Sequence, residues 1–278
     1  MKNAAICTVL GLAAAVTAGA YDYISSDILC RSRIEEKITY AQLNADIHRR
    51  YGGYTVEELS EGYTPAESFL GKSQIEMEIV NQYPELPVGC EVTCAAAMLR
   101  FLGYDIDKCS LADNYLPISD GSFTEHDGVL YGADPNEYFI GDPYGKGYGC
   151  YADVITGVLN DYFTSHGSDD MAITLDAPNS ADLERLIDGG VPVIVWASID
   201  MKPYKYNAVS QWVTESGETV TWLTNSHTLI LTGYDSSCYY FMDCNNKTEI
   251  ERYNKQTFIS RWQENGSRTV AVKLGKNR

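Results

Sequence analysis

The chain has 278 residues, of which 45% are hydrophobic, so it can form a packed core and is not disordered throughout. Its 38 acidic residues outnumber 21 basic ones and give a formal net charge of −17. A surface with this charge repels nucleic acid and anionic membranes, and we therefore predict no nucleic-acid partner.

The N-terminus has the pattern of an export signal. Lys2 provides a short positive start, residues 4–20 carry no charge, and Ala18-Gly19-Ala20 matches a small-x-small cleavage site. We predict that residues 1–20 are a signal peptide. A membrane anchor is the alternative, because an uncleaved run of this length is near the lower limit for spanning. In either case we expect a secreted or cell-surface protein, which contacts a membrane only if this segment is uncleaved.

Residues 21–72 are predicted to form a separate N-terminal segment. Apolar residues recur every three to four positions over 27–51, which predicts a helix that ends at Gly52 and Gly53. The stretch that follows is polar and rich in turn residues. We interpret 21–72 as a stalk or a docking segment, with a propeptide as a further hypothesis.

A compact domain is predicted over residues 73–274. It opens with Ile75, Met77 and Ile79 alternating with acidic residues, a pattern typical of a half-exposed strand. After a proline-containing turn, an apolar run from Cys90 predicts a helix.

The helix that begins at Cys90 is predicted to be central in the domain. Only Glu91, Thr93 and Arg100 interrupt its apolar surface, so we expect protein to surround it on nearly every side. Gly103 is placed to close its C-terminal end.

Helices precede a run of strands in the rest of the domain. Helical patterns cover residues 148–163 and 180–190, the second with Ser180 as its predicted N-cap. Strand patterns cover 191–199, 218–224, 226–234, 238–244 and 267–274. This order predicts an α+β fold rather than a doubly wound sheet.

Cys90 is the first candidate for chemistry. A thiol at a helix N-terminus meets unpaired backbone N–H groups and the positive end of the helix dipole, both of which favour the nucleophilic thiolate. Taken alone, Cys90 is more often a structural cysteine. Cys94 lies one turn deeper in the apolar helix, so Cys90 is the more reactive candidate of the two.

A nucleophilic cysteine needs a base, and His227 is the best placed of the four histidines because of a possible partner. Residues 226–244 predict a β-hairpin with its turn centred on Asp235. His227 lies eight residues before that centre and Asp243 eight residues after it, so in an antiparallel ladder the two face each other. A carboxylate there would orient the imidazole.

Two donors are candidates for stabilising an oxyanion. The backbone N–H of Cys90 lies at the helix start, and Gln82 carries a side-chain amide eight residues upstream. An ordinary surface glutamine is the alternative interpretation of Gln82. The glycine-rich and tyrosine-rich residues 141–151 either line a substrate groove or form packed surface turns.

Removal of residues 1–20 would leave seven cysteines, which suggests one free thiol and up to three disulfides outside the cell. Cys238 and Cys244 are not expected to bond each other, because six residues of extended strand hold them too far apart.

Four segments resemble, in the same order, blocks of the C39-like cysteine peptidases, which are papain-like proteins. The segments are residues 81–104, 134–155, 186–199 and 226–244. The resemblance covers about residues 73–274. It implies a papain-like fold in which a central helix carries the nucleophile and packs on an antiparallel sheet.

The resemblance also implies a Cys–His–Asp triad and an oxyanion glutamine, which correspond to Cys90, His227, Asp243 and Gln82. No cofactor is implied, and the four histidines lack the HExxH and CxxC spacings of common zinc sites. The sequence after Asp243 departs from the family, which often has proline there. Ala66 stands where a P-loop requires glycine, so no ATP-binding cassette is expected.

These observations predict an exported thiol hydrolase that cleaves peptide bonds in a peptide or protein substrate through an acyl-enzyme intermediate. Two alternatives stay open. One is a cell-wall amidase or an acyltransferase with the same fold. The other is a catalytically inactive papain-like module that binds peptides.

Overall fold

The computed structural model describes residues 52–205, 211–245 and 247–276. The predicted export segment and the predicted helix over 27–51 lie outside the described residues. The α-helices are α1 (Val56–Ser60), α2 (Cys90–Phe101), α3 (Lys108–Tyr115), α4 (Ala152–Ser165), α5 (Ser180–Asp188) and α6 (Lys255–Glu264). The strands are β1 (Glu67–Phe69), β2 (Lys72–Gln74), β3 (Ile118–Ser119), β4 (Thr124–His126), β5 (Val129–Tyr131), β6 (Phe139–Gly141), β7 (Gly147–Gly149), β8 (Met171–Thr174), β9 (Val193–Ser198), β10 (Gln211–Val213), β11 (Thr219–Thr221), β12 (Ser226–Tyr234), β13 (Cys238–Met242), β14 (Glu251–Asn254) and β15 (Thr269–Lys273).

The main sheet has eight strands and is antiparallel throughout. Its strands follow the order β1, β2, β12, β9, β15 and β8, and β13 and β14 extend from β12. The long strand β12 is therefore the hub of the sheet, since it pairs with β9, β2 and β13. The predicted α+β class is confirmed.

Helix α2 lies in the core, as its apolar surface predicts. Every residue from Cys90 to Leu99 is buried, including Glu91 and Thr93. The helix packs against β12 and α4, so the predicted central helix on an antiparallel sheet is confirmed. Gly103 closes the helix with φ +89° and donates its N–H to the carbonyl of Arg100, a conformation that glycine adopts without strain.

Two local predictions are wrong. The strand expected over 75–79 does not form, because pairing stops at Gln74 and only the Ile75 N–H still reaches the sheet, at the carbonyl of Thr232. The alternation is still seen in the burial, because Ile75, Met77 and Ile79 are buried or half-buried and the intervening Glu76 and Glu78 are exposed. At α5 the N-cap is Asn179 rather than Ser180, and it exchanges side-chain hydrogen bonds with Asp182.

Residues 56–74 pack on the domain through α1 and β2. Helix α1 contacts α5 and β15, and β2 pairs with the end of β12. Within the described residues, none of the helices has the length and apolar character needed to cross a membrane.

Two small sheets lie beside the main one. One contains β11, β10, β5 and β4, and the other contains β3, β6 and β7. A cluster of aromatic side chains holds them together: Tyr148, Tyr151, Trp212 and Trp222. These strands have three residues or fewer, which explains why their alternation was too short to predict most of them.

Candidate active site

Cys90 is the first residue of α2 and is 8% exposed. Gly89 precedes it as the N-cap and offers no side chain to cap the helix. Because Cys90 occupies the first helical position, its backbone N–H has no acceptor within the helix. Both the thiol and a potential oxyanion donor thus come from one residue.

His227 and Asp243 lie in contact across the β12–β13 hairpin. His227 Nε2 is 2.7 Å from Asp243 Oδ1, and both side chains are buried. The predicted register is nevertheless wrong. The turn spans Asp235–Cys238, so Ile230 pairs with Met242 and the ladder would place Asp243 opposite Leu229. The imidazole reaches the carboxylate diagonally, over an offset of two residues.

A β-bulge makes that diagonal contact possible. The pairing shifts by one residue between Leu231 and Gly233, which leaves Thr232 as the extra residue. Without the bulge, Asp243 would lie opposite Ile230, whose side chain faces the other side of the sheet from His227. The bulge therefore brings Asp243 to the face that carries His227.

The Asp243 carboxylate accepts hydrogen bonds on both oxygens. Besides His227, the Asn245 backbone N–H donates to Oδ1 at 2.9 Å and the Tyr253 hydroxyl donates to Oδ2 at 3.4 Å. Burial raises the pKa of Asp243, but the hydrogen bond and charge of His227 outweigh it, so the net shift is downward. Asp243 is thus ionised at neutral pH and fixes the proton of His227 on Nε2.

Gln82 is buried beside Cys90 rather than exposed on the surface. Its Nε2 donates to the Pro87 carbonyl at 2.9 Å, and its Oε1 accepts from the Cys244 thiol at 3.4 Å. The Gln82 backbone N–H also donates to the Cys244 carbonyl at 2.9 Å. These bonds fix the amide plane and leave one Nε2 hydrogen for another acceptor.

A cavity of about 300 Å³ brings these groups together. Its lining includes Gln82, Cys90 and His227, and Asn245, whose backbone contacts Asp243, also borders it. Tyr148, from β7, and Trp222, the residue after β11, line it as well. Of the two interpretations of residues 141–151, lining of a cavity therefore holds for Gly147 and Tyr148.

The surroundings of Cys90 oppose an isolated thiolate. Burial, together with the nearby Glu91 and Cys244, raises the pKa of Cys90 well above its ordinary value, and the Thr228 backbone acts in the opposite direction. The helix N-terminus alone therefore does not ionise this thiol, contrary to the expectation from sequence. A positive partner is needed, and His227 is the histidine in the same cavity.

Glu91 is a site residue that our sequence reasoning missed. It is 4% exposed, and its Oε2 lies 3.3 Å from Cys90 Sγ while its Oε1 accepts the Cys150 backbone N–H at 3.2 Å. Burial raises the pKa of Glu91 to about 7. The signal was present, because a carboxylate interrupts an otherwise apolar helix next to the candidate nucleophile.

The other candidate side chains lie away from this chemistry or deeper in the core. Cys94 is fully buried, with Sγ 3.9 Å from that of Cys244. His126 and His166 are exposed. The cysteines of the described ranges are all free thiols, so none of the expected disulfides occurs there.

One group of side chains resembles a metal-ligand set. Atoms of His227, Asp243 and Cys244 lie within 4.8 Å of one another. However, His227 Nε2 and Asp243 Oδ1 share a short hydrogen bond, and burial raises the pKa of the Cys244 thiol well above its ordinary value. A metal-binding thiolate is disfavoured there, and we assign the group to hydrogen bonding.

Comparison with known proteins gives consistent matches. The model of the Peptidase_C39 like family matches residues 74–270. The uncharacterized protein YvpB of Bacillus subtilis strain 168 is 29% identical over 194 residues, which are 68% of this chain and 70% of that protein. A crystal structure from Bacillus anthracis, assigned to the C39-like peptidases, has 26% identity and a TM-score of 0.62, and the match covers 73% of this chain and 96% of that one.

The buried Glu91 makes stability depend on pH. Because its pKa is about 7 in the folded protein against 4.5 ordinarily, its contribution to stability is complete below about pH 4.5 and is lost as pH rises through about 7. Between about pH 5 and pH 8 the free energy of unfolding should fall by about 2.5 kcal/mol through this group. We expect urea unfolding to show that decrease for the wild type relative to Glu91→Gln. Parallel pH profiles would contradict it.

Proposed function

This chain belongs to the Peptidase_C39 like family, and from that premise we propose that it is an exported thiol hydrolase that cleaves peptide bonds. The observation that carries the proposal is the buried 2.7 Å contact between His227 and Asp243, beside a cavity that also holds Cys90 and Gln82. A buried, oriented imidazole next to a cavity thiol is what cysteine-dependent acyl transfer requires.

The first half of the reaction forms an acyl-enzyme. Cys90 passes its proton to Nδ1 of His227, since Nε2 is held by Asp243, and the resulting thiolate attacks the substrate carbonyl carbon. The Cys90 backbone N–H and the second Nε2 hydrogen of Gln82 donate to the oxyanion. The imidazolium then protonates the leaving amine as the C–N bond breaks.

The second half returns the enzyme to its starting state. His227 accepts a proton from water, and the hydroxide adds to the thioester carbonyl. The C–S bond then breaks, Cys90 recovers its proton from the imidazolium, and the product acid leaves. Asp243 stays ionised throughout and stabilises the imidazolium whenever it forms.

We predict that iodoacetamide labels Cys90 much faster than any other thiol of the protein. Cys90→Ala should abolish turnover of a peptide substrate, and His227→Ala should lower it by roughly a thousandfold or more and slow the labelling at neutral pH. Asp243→Asn should lower turnover less than His227→Ala does, because it disturbs the orientation of the base without removing it. Labelling sites are read by peptide mass spectrometry and turnover by casein cleavage.

Cys238→Ala is the matched control, because this partly exposed thiol lies outside the cavity lining and should not affect turnover. Labelling at Cys94, or full activity of Cys90→Ala, would contradict the assignment. Turnover of peptidoglycan fragments or transfer to added amines, without casein cleavage, would favour an amidase or an acyltransferase. Selective labelling without any turnover would favour a peptide-binding module.

Gln82→Ala should reduce kcat by roughly a hundredfold, as expected for the loss of one oxyanion donor. Alkylation by iodoacetamide develops no oxyanion, so the labelling rate of Cys90 should change less than twofold. The pair of measurements separates the proposed role from a structural one. An equal loss in both rates would show that Gln82 only supports the loop.

We also propose export, on the basis of Lys2, the uncharged residues 4–20 and the Ala18-Gly19-Ala20 pattern. Expression in an exporting host should yield a mature chain that starts at or near Tyr21, as measured by intact mass. A membrane-bound chain that still begins at Met1 would instead support the anchor.

A further inference from the structure

We propose that Glu91 is a positioning residue for the nucleophile: in its protonated form it donates a hydrogen bond to the Cys90 thiolate, and in its ionised form it suppresses that thiolate. The inference rests on the proposed function. It adds a pH-dependent control of the nucleophile that the triad alone does not provide.

The geometry of Glu91 is suited to this role. Its Oε2 lies 3.3 Å from Cys90 Sγ, within hydrogen-bond range for sulfur, although the two residues are neighbours in the first turn of α2. Its Oε1 is held by the Cys150 backbone N–H. One oxygen is thus anchored as an acceptor and the other faces the sulfur, so a proton on Oε2 points at Sγ.

The backbone at Gly149 leaves space for the Glu91 carboxyl group. Gly149 lies directly against it with φ +116°, and a Cβ at that position would lie 2.2 Å from Glu91 Oε1. Only glycine leaves room for the carboxyl group and adopts this backbone conformation without strain. Gly149 and the Cys150 N–H therefore hold the Glu91 carboxyl group in one position. A buried acid without a role would not require a fixed position.

The ionisable groups around Glu91 come from several elements. Cys90 and Cys94 lie on its own helix, Cys150 precedes α4, His227 projects from β12, and Cys244 follows β13. Of these, His227 is the one that can become positive. Burial raises the pKa of Glu91 and outweighs the groups that lower it, which are its own backbone, the Cys150 N–H, the Cys90 thiol and His227.

The two charge states of Glu91 act on the nucleophile in opposite directions. When Cys90 has passed its proton to His227, burial keeps water away from the thiolate sulfur. A neutral Glu91 then donates its O–H to that sulfur in place of water. An ionised Glu91 instead places a second negative charge beside the thiolate in a poorly solvated site. Because the pKa of Glu91 is about 7, this change falls at neutral pH.

The first experiment measures the rate of Cys90 alkylation by iodoacetamide at pH 6 and pH 8. In Glu91→Gln the amide remains a donor at both values, so the ratio of the rate at pH 8 to that at pH 6 should be at least fivefold larger than in the wild type. Glu137→Gln removes one exposed charge away from the cavity and should leave the ratio unchanged. Equal ratios in the wild type and Glu91→Gln would overturn the inference.

A second measurement does not depend on that variant folding. Carboxyl-¹³C labelling of glutamate, followed by NMR over pH, detects Glu91 as the resonance whose titration midpoint lies nearest to 7. Cys90→Ala removes the thiolate charge, so that midpoint should fall. An unchanged or higher midpoint would show that no thiolate acts on Glu91. If Cys90 is not selectively alkylated in any of these proteins, the proposed function fails, which is a distinct result.

Discussion

The hydrogen bond between His227 and Asp243 is the interaction on which the rest of the site depends. A buried carboxylate is costly unless partners satisfy it, and Asp243 has three: His227, the Asn245 backbone and Tyr253. The bond also joins β12 to the loop after β13. Because β12 is the hub of the main sheet, the imidazole is held by the most extensively paired strand of the described structure.

The same burial that orients the base makes a lone thiolate unfavourable. Cys90 lies at a helix N-terminus, but desolvation outweighs the benefit of that position and raises its pKa. Charge separation is therefore favourable only when the imidazolium forms at the same time. In this arrangement Cys90 becomes nucleophilic only when His227 takes its proton. Cys94, which lies one helical turn deeper, is a packing residue.

Patterns in the sequence were sufficient for the parts of the fold that depend on local chemistry. The apolar surface of α2, the cap at Gly103 and the strands β9, β12, β13 and β15 were correctly expected, because each is set by neighbouring residues. The alternation over 75–79 was not sufficient, since that segment has no strand to pair with. The register of the β12–β13 hairpin was not, since the bulge at Thr232 depends on pairing across the ladder. The expected contact between His227 and Asp243 forms because the bulge and the shifted turn preserve the shared face.

The remaining differences between the sequence predictions and the structure have a common physical origin. The short strands β3 to β7 are stabilised by an aromatic cluster drawn from distant segments, and no local pattern encodes that packing. Glu91 was missed for a related reason. The break in the apolar helix surface marks Glu91 in the sequence, but the contacts with Gly149 and the Cys150 N–H that enclose it come from distant residues.

The central claim is that the Cys90 thiol ionises only as a pair with His227. The most direct test is the ultraviolet absorbance of the thiolate at pH 6, measured as the signal lost on alkylation of Cys90 in the wild type and in His227→Asn. We predict a thiolate signal in the wild type and none in the variant. An equal signal in the variant, or no signal in the wild type, would contradict the claim.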